Sequence, residues 1–263
     1  MPFAARATRA DLESLLRTRQ LDRTLTTSRP PIDVDTASCG ITPLDARLGG
    51  GFPRGQVSEL VGPRSSGRTS LLLQLLASAT ARGELVALVD ALDTLDGESA
   101  AAAGVDLDRL LWIRGFLVSN PVVCRGQVSS LRTDTCPSDR ALEQALRACS
   151  LVLQAGNFGV VAFDVAEAPA HAIRRLPFTT WLRLQRMVEG SQTVCLLVGS
   201  EPMARSSAGL TMKCGLRNAD CGFRFTGRTF DGLDLDVSIH ESRIPNPSRR
   251  AHDVRLYLQT TCA

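Results

Sequence analysis

The segment GQVSELVGPRSSGRTSLLLQLLASAT, residues 55–80, decides the fold of this protein. Its apolar start predicts a buried strand over residues 55–62, and its leucine-rich end predicts a helix that begins near Gly67. Between them, residues 62–69 read GPRSSGRT, which is close to the pattern G-x-x-x-x-G-K-[ST] of phosphate-binding loops. In such loops, backbone N–H groups and a helix N-terminus surround a polyphosphate. The segment therefore predicts a strand, a phosphate-binding loop and a helix in succession.

Strands and helices continue to alternate on the C-terminal side of this segment. Apolar runs predict buried strands at residues 84–90, 109–115, 158–164 and 193–199, and periodic segments predict helices at 139–156 and 179–190. Alternating residues predict two further strands in LDLDVSIH and HDVRLYLQ, both after residue 221. Buried strands that are each followed by a helix are typical of an α/β fold, in which helices flank a mainly parallel β-sheet.

The N-terminal residues 1–30 predict a separate amphipathic helical arm. Leu12, Leu15 and Leu16 recur at helical spacing among arginine and aspartate residues. Two prolines in SRPPID, residues 28–33, then impose an extended linker. Two interpretations stay open: the helix packs on its own core, or the arm docks on another protomer. The core is assigned to residues 31–263, and residues 116–138 within it predict a mobile loop, because they lack periodicity.

The composition restricts the class of protein. The chain has 263 residues, of which 44% are hydrophobic and 22% are charged, which suits one soluble domain with an arm. Since no apolar run reaches the roughly 18 residues of a membrane span and the N-terminus is polar, we expect a cytoplasmic protein without a membrane partner. The eight cysteines lack paired spacings and predict reduced core thiols. A metal site that unites Cys214, Cys221, His240 and His252 is the alternative, but it contains no CxxC unit, so we expect no metal.

Arginine supplies nearly all of the positive charge. Lysine and arginine total 30, with Lys213 the single lysine, against 27 aspartate and glutamate residues, which leaves a net charge of +3. Several arginines follow the later strands and are candidate contacts to DNA phosphates, namely Arg174, Arg175, Arg217, Arg224 and Arg228. The alternative is that they are solvated or pair with acidic residues of the same chain. Only 5% of the residues are aromatic, so a base-stacking surface is poorly supplied.

The residues that would contact a nucleotide follow from the loop motif. Gly62 and Gly67 allow the turn, and Thr69 stands where a hydroxyl binds Mg²⁺. Asp164 ends an apolar strand and is the candidate partner of that metal. Arg68 replaces the usual lysine with a larger, planar cation. The site is therefore a degenerate nucleotide-binding site for which ATP with Mg²⁺ is the candidate cofactor. Its members are Gly62, Ser65, Ser66, Gly67, Arg68, Thr69, Ser70 and Asp164.

Three segments together give a specific resemblance. GITPLDARLGGGFPRGQVSELVGPRSSGRTSLLLQ at 40–74, LVDALDTLD at 88–96 and GVDLDRLL at 104–111 resemble the RecA recombinase family. The resemblance implies a RecA-like P-loop core, and it also exposes departures from the family. Leu92 occupies the place of the catalytic glutamate, and Ser200 that of a glutamine that senses the nucleotide. Of the lysine pair that reaches a neighbouring protomer's nucleotide, only Arg243 keeps a positive charge.

The second half of the chain resembles a narrower group. AGNFGVVAFDVAEAP at 155–169 and RRLPFTTWLRLQRMVEGSQTVCLLV at 174–198 are similar to the ImuA family of mutasome accessory proteins. This resemblance implies a catalytically degenerate protein of SOS-induced translesion DNA synthesis and mutagenesis. Its implied partners are the polymerase-related protein ImuB and RecA, with single-stranded DNA as a further candidate. Because the chain stops soon after its last predicted strand, we expect no RecA C-terminal domain.

An alternative function is an active or slow DNA-dependent ATPase of recombination and repair. It would retain Thr69 and Asp164, and another acid would have to replace the glutamate that is missing at Leu92. The candidates for that replacement are Asp90, Asp93 and Glu201.

Overall fold

The computed structural model describes residues 35–115, 137–204, 207–216, 223–226, 229–241 and 252–259. The predicted arm, including Leu12, Leu15 and Leu16, lies outside the described residues. The predicted loop at 116–138 also lies largely outside them, although a helix begins at Pro137, before the predicted end of that loop.

The described residues form eleven strands and six α-helices. The helices are α1 (Thr42–Leu48), α2 (Arg68–Ala81), α3 (Gly97–Ala102), α4 (Pro137–Ala155), α5 (Ala170–Arg175) and α6 (Phe178–Val188), with a 3₁₀ turn at Leu107–Arg109. The strands are β1 (Thr36–Ala37), β2 (Phe52–Pro53), β3 (Val57–Val61), β4 (Val86–Asp90), β5 (Leu110–Arg114), β6 (Val160–Asp164), β7 (Val194–Gly199), β8 (Leu210–Leu216), β9 (Phe223–Thr226), β10 (Thr229–Glu241) and β11 (His252–Gln259).

One large sheet organises the fold. Its strand order is β11-β10-β8-β3-β7-β6-β4-β5, and β9 pairs with β10 outside this path. The six strands from β8 to β5 run parallel, whereas β9, β10 and β11 pair antiparallel. The prediction of an α/β fold with a mainly parallel sheet is therefore confirmed. Because the carboxyl ends of parallel strands share one edge, the sheet places Asp90, Asp164 and Gly199 along the edge where the phosphate loop begins.

Helices cover both faces of the sheet. On one face, Leu75 of α2 packs with Leu60 and Leu196. On the other, Leu184 of α6 packs with Leu197. Leu196 and Leu197 belong to opposite faces, as the alternation of side chains along a strand requires. The near-continuous apolar runs in the sequence thus reflect strands that are buried on both sides.

Four cysteines lie in this core. Cys39, Cys149, Cys195 and Cys214 are free thiols and buried, which confirms the expectation of reduced core thiols for these four. Burial raises the pKa of the Cys149 and Cys214 thiols to about 12, so both are protonated at neutral pH. Within the described part of the chain, no three His, Cys, Asp or Glu side chains gather as a metal site would require.

Gly51 shows why a glycine turn precedes the phosphate loop. Its φ is +134°, and a Cβ there would overlap the carbonyl oxygen of Ala37 in β1. The turn brings Phe52 of β2 beside Ala37, from where the chain enters β3. A side chain at residue 51 would separate β1 from β2.

Two elements differ from the sequence-based expectation. From its sequence alone, the segment APAHAIRR at residues 168–175 is interpreted as a loop, but Ala170–Arg175 form α5, so this interpretation is wrong. One short helix carries too few residues to display a period, and only Ala172 of α5 is fully buried. Strand β8 was not predicted either, because Lys213 and Gly215 interrupt its apolar pattern. Among the described helices, none has the length and apolar content needed to cross a bilayer.

Candidate functional site

The loop between β3 and α2 has the backbone of a phosphate-binding turn. Ser65 and Gly67 both adopt the left-handed region, with φ of +58° and +82°. The N–H of Gly62 donates to the carbonyl oxygen of Gly199 at 3.2 Å, which joins the loop to the end of β7. A Cβ at Gly62 would overlap the carbonyl oxygen of Cys214, so the loop is also fitted closely against β8. Only glycine permits this approach at residue 62.

The side chains of the loop point in different directions. Thr69 and Ser70 are exposed at the start of α2, where a ligand could reach their hydroxyl groups. Ser66 is only 1% exposed, and its hydroxyl lies against Gly62 in the interior. Thus Ser66, a predicted site residue, does not present its hydroxyl to solvent.

Arg68 is turned into the protein. The residue is 5% exposed, and its guanidinium donates to the carbonyl oxygens of Gly62 and Gly199, the latter at 3.2 Å. Its other terminal nitrogen lies 3.2 Å from Oε1 of Glu167. A guanidinium offers a planar fork of donors, and here three protein oxygens accept from it. The cation that should meet a phosphate is therefore already bound by the protein's own groups.

Glu167 is the functional residue that sequence reasoning missed. Its Oε1 lies 3.2 Å from Arg68, and its Oε2 lies 3.2 Å from Nε of Arg64. The carboxylate thus bridges two arginines of the loop motif, although it follows β6, a strand that is not adjacent to β3. The available sequence signal was its position, three residues after Asp164 at the ligand-binding edge of a parallel sheet.

Asp164 is a partly buried acid at the same edge. Its carboxylate accepts the N–H of Ala166 at 2.9 Å, and its backbone lies opposite Asp90 of β4. Burial raises the pKa of Asp164 to about 6, and the negative charge of Asp90 acts in the same direction, while Arg68 opposes it. Without a bound cation, this environment disfavours the ionised form that a metal would need.

The arrangement does not fit an ATP phosphate as it stands. Thr69 and Asp164 supply oxygen groups that suit Mg²⁺. However, Arg68 is occupied by three protein oxygens, and the carboxylate of Glu167 adds negative charge beside the loop. A polyphosphate would have to displace these contacts and approach a like charge.

Leu92 and the acids considered as its replacement are all engaged in other contacts. Leu92 is partly buried and packs against the apolar cluster that contains Phe163 and Met203. Asp90 is buried and accepts the N–H of Leu95 at 2.8 Å. Asp93 accepts two hydrogen bonds from Arg114, at 2.6 and 2.8 Å. Glu201 forms an ion pair with Arg174 at 2.8 Å.

The candidate DNA contacts are only partly described. Arg174 and Arg175 lie at the exposed end of α5, where Arg174 forms its ion pair with Glu201. Arg224 lies in β9, whereas Arg217, Arg228 and the predicted trans-interface residue Arg243 lie outside the described residues. Ser200 lines a cavity of about 230 Å³ between α5, α6 and the segment after β7.

A second buried acid fixes the segment after β7. Glu59 of β3 is 1% exposed and accepts the N–H groups of Met203 and Ala204 at 2.7 and 2.6 Å. Its other oxygen accepts the hydroxyl of Thr211 at 2.8 Å. Glu59 therefore holds the chain that leaves Gly199, whose carbonyl oxygen binds Arg68.

Comparison with known proteins finds a family that matches the part of the chain containing β3, the loop and α2. Residues 23–121 match the RecA N-terminal domain family. Over 78 residues, 30% of this chain, it is 49% identical to RecA of Synechococcus sp. (strain CC9902) and 50% identical to RecA of Nostoc punctiforme. Over 141 residues, 53% of this chain, it is 38% identical to RecA of Corynebacterium aurimucosum.

These matches cover only a small part of each RecA protein. They cover 21%, 22% and 30% of the respective RecA proteins, so the chain spans less than a third of the length of the curated relatives it matches. Together with the sheet, they support a RecA-like α/β fold. The narrower resemblance to the ImuA family stays a prediction.

Proposed function

We propose that this RecA-like chain is a non-hydrolysing accessory protein that acts by binding other proteins in SOS-induced translesion synthesis and mutagenesis. The observation that carries the proposal is the state of Arg68, whose guanidinium is bound by Gly62, Gly199 and Glu167. A side chain engaged in this way is not available to stabilise charge on a transferred phosphoryl group.

Leu92, in the place of the water-orienting glutamate, supports the same conclusion. Phosphoryl transfer depends on positioning and on electrostatic stabilisation, and a polar residue must orient the attacking water. Leu92 cannot do this, because its side chain has no polar atom and packs on an apolar cluster. The neighbouring acid Asp93 is held by Arg114 at the exposed surface.

The proposed partners are RecA and a polymerase-related protein of the ImuB type. A chain that keeps the RecA-like core can still bind other proteins through the surfaces of that core, even when it does not hydrolyse ATP. The arm at residues 1–30 would supply one such surface through Leu12, Leu15 and Leu16. Single-stranded DNA is a further candidate partner, through Arg174, Arg175 and the arginines after β7, and its binding would weaken as salt increases.

The triple variant Leu12→Asp, Leu15→Asp and Leu16→Asp tests the role of the arm. Three charges on the apolar stripe should weaken association with RecA at least about tenfold, measured by surface plasmon resonance, since burial of each leucine is worth roughly 1.5 to 3 kcal/mol. Leu151→Asp is the matched control, because Leu151 is a leucine of α4 that is 66% exposed. Equal binding by the triple variant and the control would refute docking through the arm.

The alternative, an active or slow DNA-dependent ATPase, draws on a specific observation. Thr69 and Ser70 remain exposed at the N-terminus of α2, and Asp164 keeps its place at the edge of the sheet. Release of inorganic phosphate in the presence of single-stranded DNA distinguishes the two functions, because only the alternative predicts turnover.

A further inference from the structure

We propose that Glu167 is an internal ligand of the phosphate loop, which takes the place of a phosphate anion and so keeps nucleotide out of the wild-type protein. The proposal deepens the proposed function and rests on it, because it concerns the same loop. In this proposal, the carboxylate of Glu167 excludes the nucleotide, which the sequence of the loop alone does not explain.

The contacts of Glu167 are those expected of a bound oxyanion. Each of its two oxygens meets a different arginine of the loop motif, Arg68 at 3.2 Å and Arg64 at 3.2 Å. Arg64 is 84% exposed, so its pair with Glu167 is screened by solvent and contributes little. The side chain of Arg68 is 6% exposed, so its charge-assisted contact with Glu167 carries most of the interaction.

The backbone holds Glu167 in this position. Val165 donates its N–H to the carbonyl oxygen of Val198 at 3.0 Å, and the N–H of Ala168 bonds to the carbonyl oxygen of Val165 at 3.0 Å. Ala166 donates to the carboxylate of Asp164, and the side chain of Ala168 is buried. These contacts fix the main chain on both sides of Glu167, so only its side chain has to be ordered when the carboxylate meets the arginines.

A nucleotide would have to compete with this ligand. To bind a phosphate, Arg68 would leave the carbonyl oxygens of Gly62 and Gly199 as well as Glu167. The carbonyl oxygen of Gly62 would lose a buried donor, which is costly, whereas that of Gly199 would keep the N–H of Gly62. The released carboxylate would still lie near the loop and would repel the phosphates. Removal of the charge on Glu167 relieves the repulsion and frees one contact of Arg68.

The test is titration calorimetry of the full chain with MgATP, and separately with inorganic pyrophosphate. Glu167→Gln keeps the size of the side chain and removes its charge. We expect this variant to bind both probes at least about tenfold more tightly than the wild type. The gain should be lost in the double variant Glu167→Gln, Arg68→Ala. Glu189→Gln is the matched control, an exposed acid between α6 and the start of β7, and it should bind as the wild type does.

Two results would overturn the inference. The first is wild-type binding as tight as that of Glu167→Gln, and the second is the absence of binding by both, since another group would then exclude the nucleotide. Circular dichroism and thermal unfolding check that each variant is folded, and Glu167→Ala serves as a second substitution. ATP turnover is measured in parallel: hydrolysis by the wild type refutes the proposed function, whereas unchanged affinity without hydrolysis refutes only the inference.

Discussion

Arg68 stands where phosphate-binding loops carry a lysine, and its guanidinium points into the protein. The chain has 30 basic residues and a single lysine, so an arginine at this place can reflect composition alone. Its contacts carry more weight than its identity, because the guanidinium meets Gly62, Gly199 and Glu167 at once. The single ammonium group of a lysine could not span these acceptors with the same planar fork.

Asp164 leads to a prediction about how the stability of the protein depends on pH. Burial raises the pKa of this carboxyl from 3.8 to about 6. The folded protein therefore holds a proton that the unfolded chain has lost, and this contribution to stability is full below pH 3.8 and disappears as the pH rises through 6. Asp164→Asn should be more stable than the wild type by on the order of 1 to 3 kcal/mol at pH 7.5, with the difference closing near pH 4.

Urea unfolding of both proteins across this pH range measures the difference. Asp108→Asn, which replaces an exposed aspartate near the start of β5, is the control for the Asp-to-Asn exchange itself. If the wild type matches Asp164→Asn in stability at every pH, then ionisation of Asp164 does not destabilise the folded protein.

The elements at the carboxyl edge of the sheet explain what sequence reasoning could not find. The strand that ends in Asp164 is recognisable from its apolar run, but the strand order places β7 between β6 and β3. The contact of Glu167 with the loop therefore depends on packing across a strand, which no local pattern encodes. Helix α5, which follows Glu167 and opens at Ala170, was similarly missed because it is only 6 residues long.

Glu59 gives a prediction at the scale of elements. Glu59→Ala would leave the N–H groups of Met203 and Ala204 and the hydroxyl of Thr211 without their acceptor in the interior. We expect a loss of about 2 to 5 kcal/mol in the free energy of unfolding, measured by urea denaturation, because buried donors that lose a charged acceptor are costly. Hydrogen exchange at Met203 and Ala204 should also become faster.

Glu84→Ala is the matched comparison for Glu59. Glu84 pairs with Arg54 and Arg82 at a less buried place, so its removal should cost less. Equal losses for the two variants, together with unchanged exchange at Met203 and Ala204, would show that Glu59 does not hold the segment after β7.

For the whole molecule, the sequence predicted the secondary structure correctly where buried residues recur in a regular pattern. The parallel strands and the helices on both faces follow from apolar runs, and the structure confirms them together with a loop between β3 and α2 where the glycine motif predicts one. Strand β8, which joins the parallel and antiparallel halves, could not be read, because Lys213 and Gly215 break its pattern. The expectation that Leu92 replaces a catalytic carboxylate came from the sequence, whereas the contact between Glu167 and Arg68 required the tertiary structure.

Steady-state phosphate release at saturating MgATP, with and without single-stranded DNA, tests directly whether this protein hydrolyses ATP. Wild-type protein and Arg68→Ala are compared under identical conditions. We expect both proteins to release phosphate only at the rate seen without protein, because neither Leu92 nor the engaged Arg68 supports phosphoryl transfer. Turnover by the wild type that disappears in Arg68→Ala would contradict this expectation.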